Sequence, residues 1–194
     1  MKTAILIHGW AGSPNEPLLQ WLRLNLEEKG VRVIVPTMPE PKIPKIEPWV
    51  NAIAEICNPD EETLFVGHSI GCQTVMRYIQ TLPVNAKIAG VVLIAPWMKL
   101  DEETIREEGE RAIAIARPWE ETPIDFKKIR EISGTTVAIF SDDDPFIPLA
   151  QKELFEKEFN SEIIVEHSKG HFTVNDKIFE LPSALNAAEK ILKI

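Results

Sequence analysis

A chain of 194 residues, 44% of them apolar, carries enough hydrophobic side chain for one packed core, which excludes an intrinsically disordered polypeptide. The formal net charge of −9 opposes phosphate backbones, and Lys and Arg are scattered among Glu and Asp without a basic patch, so no nucleic-acid partner is expected. No apolar run approaches the roughly 20 residues that span a bilayer, and residues 4–7 are too short for a signal-peptide core, so the expectation is a cytoplasmic protein with no membrane association.

Residues 3–8 read as a first strand, followed by a Gly- and Pro-rich loop over 9–17. Leu18, Leu19, Leu22 and Leu26 form one helical stripe that Gly30 ends, and residues 31–35 give a second strand. Prolines punctuate residues 36–48, which are expected to be irregular. Val50, Ile53, Ala54 and Cys57 space the next helix, 63–66 a third strand, and Cys72, Val75, Met76 and Ile79 the helix after it. Residues 88–95 are apolar on both faces, as in a central parallel strand. Two more strands are expected at 136–140 and 163–165, with a helix over 149–159 between them and a final helix through 184–192.

Strands alternating with helices predict a single α/β domain over 1–194, a three-layer α/β/α sandwich around a doubly wound, mostly parallel sheet of about six strands. An insertion at 99–133, opening on Asp101-Glu102-Glu103, is either a small cap or a set of surface helices. Cys57 and Cys72 supply neither a disulfide framework nor metal-ligand spacing, and are expected as buried packing residues.

Gly67-His68-Ser69-Ile70-Gly71 matches G-x-S-x-G at a predicted strand-to-helix junction. There the turn is so tight that side chains flanking the serine would clash, and the serine is held strained with its hydroxyl exposed. Ser69 is the candidate nucleophile, and a serine hydroxyl needs a base within hydrogen-bond reach. In this arrangement the chain order is Ser, acid, His. His8 and His68 precede the nucleophile, and His68 is expected to point away from Ser69. His171 lies in a loop beyond the carboxyl end of the last strand, where such sheets place catalytic groups, and is the candidate base with His167 as fallback. The acid is expected in Asp142-Asp143-Asp144, and residue spacing does not choose among the three. Backbone N–H groups of Ile70 and Trp10 are the candidate oxyanion hole. Aromatic residues gather near the same sheet edge, with Trp97, Phe146 and Phe172 as candidate pocket residues and Trp119 in the insertion.

His8-Gly9, Met38-Pro39-Glu40-Pro41, the serine motif, Ala95-Pro96, Arg117-Pro118-Trp119, Asp143-Asp144-Pro145-Phe146-Ile147-Pro148 and Gly170-His171-Phe172 occur in that order over most of the chain. Together they resemble the small serine hydrolases that include retinoblastoma-binding protein 9 and its bacterial relatives. The resemblance implies a minimal α/β-hydrolase fold and a Ser–Asp–His triad whose acid directly precedes the Pro-Phe pair, here Asp144. It also implies a carboxylesterase-like or peptidase-like activity. The Leu-x-Cys-x-Glu partner motif of the mammalian protein is absent, the cysteines lying in Ile56-Cys57-Asn58 and Gly71-Cys72-Gln73. The expected function is hydrolysis of an ester or related acyl bond in a small-molecule substrate, without cofactor or metal, by a monomer or homodimer. A non-catalytic binding protein and a peptidase or amidase using the same residues are the alternatives.

Overall fold

The strands are short aliphatic runs separated by helical segments, a pattern that favours parallel pairs. The computed structural model describes residues 1–194. Its strands are β1 (Thr3–Ile7), β2 (Arg32–Ile34), β3 (Thr63–His68), β4 (Ile88–Ile94), β5 (Ser133–Ser141) and β6 (Glu162–Glu166). They form one sheet in the order β2-β1-β3-β4-β5-β6, and every pair is parallel. The expected α/β class and six-stranded, doubly wound sheet are observed. Strand order reverses between β1 and β3, and the crevice beyond their carboxyl ends is where such sheets bind ligands.

Helix α1 (Pro17–Glu28) starts with Pro17, whose missing N–H costs nothing in the first turn, and buries the Leu18, Leu19, Leu22 and Leu26 stripe. Helix α2 (Ile46–Ile56) begins inside the stretch expected to be irregular. Pro48 sits in its first turn, where no intrahelical N–H bond is lost, so this proline did not bar a helix. Cys57 ends α2 half-buried, whereas Cys72 is fully buried. Every residue of α3 (Ile70–Ile79) is buried, and the helix packs against β1, β3 and α2. Helix α8 (Pro182–Leu192) covers β3, β4 and β5 beside α1.

Residues 99–133 fold into α4 (Glu102–Glu107), α5 (Glu110–Glu121) and α6 (Phe126–Ile132), followed by the start of β5. The Asp101 carboxylate caps α4 by accepting the N–H groups of Glu103 and Thr104. The end of α5 is tied to α3 by Arg77, a 2% exposed side chain that donates to the carbonyls of Trp119 and Thr122, both at 2.8 Å. Those bonds, with two to the Gln73 side-chain oxygen, satisfy a charge that would otherwise be buried without partners. Trp119 is fully buried, edge-on to Trp49 with its indole N–H on the Pro44 carbonyl. It therefore packs the helix layer and does not line the sheet-edge pocket. Helix α7 (Lys152–Phe159), entered through a 3₁₀ turn at Leu149–Gln151, leads into β6. No helix is long and apolar enough to cross a membrane.

Candidate active site

Strand β3 ends at His68 and α3 begins at Ile70, so Ser69 alone makes the turn. It has φ +53° and ψ −122°, a region that disfavours residues with a Cβ and costs roughly 1–3 kcal/mol. The flanking glycines explain how the turn closes. A Cβ on Gly67 would stand 2.7 Å from the Cys72 backbone, and one on Gly71 would stand 2.5 Å from the Ile7 carbonyl oxygen. The helix start is thereby pressed onto the end of β1, and the Ser69 hydroxyl is left facing the crevice.

Ser69 Oγ lies 2.9 Å from His171 Nε2, and His171 Nδ1 lies 2.8 Å from Asp144 Oδ2. A carboxylate only accepts, so Nδ1 carries the proton and Nε2 presents its lone pair to the serine hydroxyl. The Asp144 side chain is 2% exposed, and its other oxygen accepts the N–H groups of Phe146 and Ile147. Those two bonds compensate the burial of the charge and fix the carboxylate plane.

The three consecutive aspartates separate cleanly. Asp142 pairs with His167 at 2.6 Å and accepts the Ser168 N–H. These contacts lower the Asp142 pKa, chiefly through the Ser168 N–H, and raise that of His167. Asp143 accepts the Ser141 hydroxyl and the Gly170 N–H, which lower its pKa. Only Asp144 reaches His171. No group of three His, Cys, Asp or Glu side chains is placed to hold a metal ion. The fallback base, His167, is exposed and engaged by Asp142.

His8 is buried, with Nδ1–H donating to the Gly9 carbonyl at 2.9 Å and Nε2 accepting the Met38 N–H at 3.2 Å. Both nitrogens are thus engaged in joining the first loop to the 36–45 segment, and burial lowers the His8 pKa. The backbone N–H of Trp10 has no acceptor in the protein, whereas its indole N–H donates to the Lys42 carbonyl, and the backbone N–H of Ile70, first residue of α3, has no acceptor within its helix. His68, expected to point away from Ser69, lines the same pocket and contacts the His171 backbone.

A cavity of about 300 Å³ opens over Ser69 and His171. Its apolar wall is Trp10, Trp97, Leu100, Ile105, Ala112 and Phe146, so α4 and α5 close one side. Phe146 stands edge-on to the His171 ring at 5.2 Å, and the buried Trp97 indole N–H has no partner in the protein. Phe172 is a correction. At φ +58° it turns its ring into the core, where it is 1% exposed, and it does not line the cavity.

Three acidic residues were not singled out from the sequence. Glu16 and Glu108 line the cavity, which has no Lys or Arg in its wall. Burial raises the Glu16 pKa, partly offset by the Ser13 N–H. Asp176 Oδ2 accepts the N–H groups of His171 and Thr173 and the Thr173 hydroxyl, bracing the loop that carries His171. Only the Thr173-x-x-Asp176 spacing hinted at this turn. Nothing local marked the two glutamates, because they reach the cavity from distant elements.

The YdeN protein of Bacillus subtilis is 23% identical over 182 residues, covering 93% of this chain and 91% of that one. The crystal structure of the ydeN gene product superposes over the full length of both chains with a TM-score of 0.87. Serine hydrolase RBBP9 of Rattus norvegicus is 27% identical over 179 residues, covering 91% of this chain and 84% of that one. A carboxylesterase structure from the thaumarchaeon Nitrososphaera gargenis, 16% identical, shares the fold with a TM-score of 0.71 over 99% of this chain and 90% of its own. The serine hydrolase family model matches residues 4–189, and the chain belongs to that family.

Proposed function

We propose that the protein hydrolyses carboxylic esters with small, uncharged acyl groups through an acyl-enzyme on Ser69. The observation that carries the reading is the continuous chain of hydrogen bonds from Ser69 through His171 to Asp144. Ser69 Oγ attacks the ester carbonyl carbon while His171 Nε2 takes the hydroxyl proton. The negative charge that develops on the carbonyl oxygen is met by the N–H groups of Ile70 and Trp10. Collapse breaks the bond to the alkoxy group, and His171 returns the proton to release an alcohol. Water then attacks the acyl-enzyme, giving its proton to His171, and Ser69 is regenerated as the carboxylic acid leaves. Asp144 holds the Nδ1–H tautomer and stabilises the transient imidazolium.

The cavity volume suits a small substrate, and its aromatic and aliphatic wall suits an apolar acyl chain. The carboxylesterase fold neighbour is consistent with ester chemistry. The test is turnover of short-chain nitrophenyl esters, with fluorophosphonate labelling, by wild type and by Ser69→Ala, His171→Ala and Asp144→Asn. Turnover and labelling by wild type, lost in the folded variants, support the reading. Full activity in Ser69→Ala refutes the nucleophile. A folded wild type that neither hydrolyses nor labels puts a binding protein in first place. Cleavage of amide but not ester substrates moves the reading to a peptidase or amidase.

A further inference from the structure

In G-x-S-x-G the residue before the serine is free to vary, because the turn constrains only its glycines and the nucleophile. Here that residue is His68, and its contacts are specific. Nε2 lies 2.9 Å from the backbone oxygen of His171. A carbonyl oxygen only accepts, so His68 is the Nε2–H tautomer and donates. Its Nδ1 has no protein partner and faces Gly9, where an added Cβ would stand 3.1 Å from it.

Every polar atom of His171 is therefore engaged. Its N–H goes to Asp176 at 3.1 Å, its carbonyl accepts from His68 at 2.9 Å, Nδ1 donates to Asp144 at 2.8 Å and Nε2 faces Ser69 at 2.9 Å. Two consecutive residues of one tight turn meet opposite ends of the same histidine, the backbone and the far ring nitrogen. The spacing between those two contacts is set by a single peptide unit of the elbow. The His171 loop, held elsewhere by Asp142, Asp143 and Asp176, is thus registered directly against the nucleophile.

The chemistry at position 68 also fits this task. The side chain is 5% exposed, and burial drives its pKa to about 3. His171 and His8 oppose a charge on it as well, and the hydrogen bond to the His171 carbonyl and the nearby Asp176 only partly favour one. A donor that stays neutral holds the His171 carbonyl without repelling the imidazolium that forms on the same residue during turnover. A lysine or arginine donor would repel it.

We infer that His68 is a positioning residue for the reaction proposed above, its Nε2–H holding the His171 peptide so that the imidazole stays in line between Ser69 and Asp144. The inference rests on the serine-nucleophile reading. Displacement of a catalytic group by about 1 Å costs up to roughly a hundredfold in rate, the scale on which loss of this bond acts.

The experiment compares wild type, His68→Ala and His68→Gln in nitrophenyl acetate turnover and fluorophosphonate labelling, with rates normalised to the folded, titratable fraction. Glutamine places an amide N–H about as far along the side chain as Nε2, and stays neutral. His68→Ala is expected to lose about ten- to a hundredfold in kcat and labelling rate, with KM changed less than about threefold, and His68→Gln to recover most of that loss. A merely structural role would lower the folded fraction without moving normalised kcat, and that result overturns the inference. So does a glutamine variant no faster than alanine. If neither variant folds, imidazole nitrogen NMR of the wild type decides. An Nε2–H signal that does not titrate between roughly pH 5 and 9 supports the inference, and a titrating or Nδ1–H His68 overturns it. A wild type that neither turns over nor labels refutes the parent reading instead, and the inference falls with it.

Discussion

The carboxylate of Asp143 accepts the backbone N–H of Gly170 at 2.8 Å, one residue before the pair formed by Asp144 and His171. Asp142 in turn accepts the Ser168 N–H, so three successive carboxylates at the end of β5 hold successive parts of the loop after β6. Parallel pairing of β5 with β6 brings both strand ends out together and makes this ladder of contacts geometrically natural. The neighbours of Asp144 hold the loop, while Asp144 alone touches the imidazole.

Asp144→Asn is expected to lower kcat by about 10³- to 10⁴-fold, because an amide nitrogen facing Nδ1 stabilises the wrong imidazole tautomer. Asp142→Asn, which loses only an exposed histidine contact and weakens one loop bond, is expected to stay within a few fold of wild type. Ester kinetics of the two variants check this. Equal losses would mean that the aspartates act as a block.

Gly71→Ala is expected to destabilise the fold or prevent folding, since the added methyl meets the Ile7 and His8 carbonyl oxygens at 2.5 and 2.7 Å. Neither carbonyl can retreat easily, because both belong to the end of β1 or the residue after it, beneath α3. Overpacking of this kind costs about 1–3 kcal/mol or more. Thermal melting reads the effect, and an unchanged midpoint would show that the elbow is looser than its geometry.

Stability is expected to fall as the solution is acidified from neutrality. The His68 pKa drops from an ordinary 6.5 to about 3 in the folded chain, so below pH 6.5 the unfolded state binds the proton and the native state does not. The contribution of this histidine is complete above pH 6.5 and is lost progressively as pH falls towards 3, at more than about 1 kcal/mol per pH unit at full effect. Buried His8, also lowered, acts in the same direction. Exposed His167, raised by Asp142, acts oppositely, its contribution being present below its ordinary value and lost as pH rises. Urea unfolding at pH 7 and pH 5 should give a lower stability at pH 5, with a shallower decline in His68→Gln. Equal stability at both pH values in the wild type would contradict the burial of a neutral His68.

Acyl groups bearing a negative charge are expected to be poor substrates. Glu16 and Glu108 face the cavity, and no cation answers them. A like charge about 4 Å away costs roughly 1–4 kcal/mol between water-like and surface-like screening. Neutral esters should therefore exceed hemisuccinate-type esters of equal length by at least about fivefold in kcat/KM, and Glu16→Gln should narrow the gap. Glutamine can still accept the Ser13 N–H, so the loop before α1 is kept. A wild type indifferent to acyl charge would place the carboxylates away from the bound acyl group.

What the sequence determined by itself was local or periodic. The strand–helix alternation made a parallel three-layer sheet the expected outcome, and the glycines around Ser69 marked a tight turn, although the carbonyls that Gly71 abuts belong to the end of β1 and the residue after it. Chain order narrowed the candidate base to a loop after the last strand. Periodicity did not choose among Asp142, Asp143 and Asp144, since adjacent residues share composition and differ only in direction; resemblance to a family pointed to Asp144, and the folded turn gives each aspartate a different partner. Pro48 misled because proline is costly inside a helix but not in its first turn, a distinction that depends on where the helix begins. Phe172 misled because aromatic character marks burial without saying which cavity or core receives the ring. The approach of Glu16 and Glu108 to the cavity and of His68 to the His171 carbonyl exists only once segments far apart in sequence converge at the carboxyl edge of the sheet. The tertiary structure alone decided these, because side-chain direction and long-range proximity are set by packing and leave no local pattern in the chain.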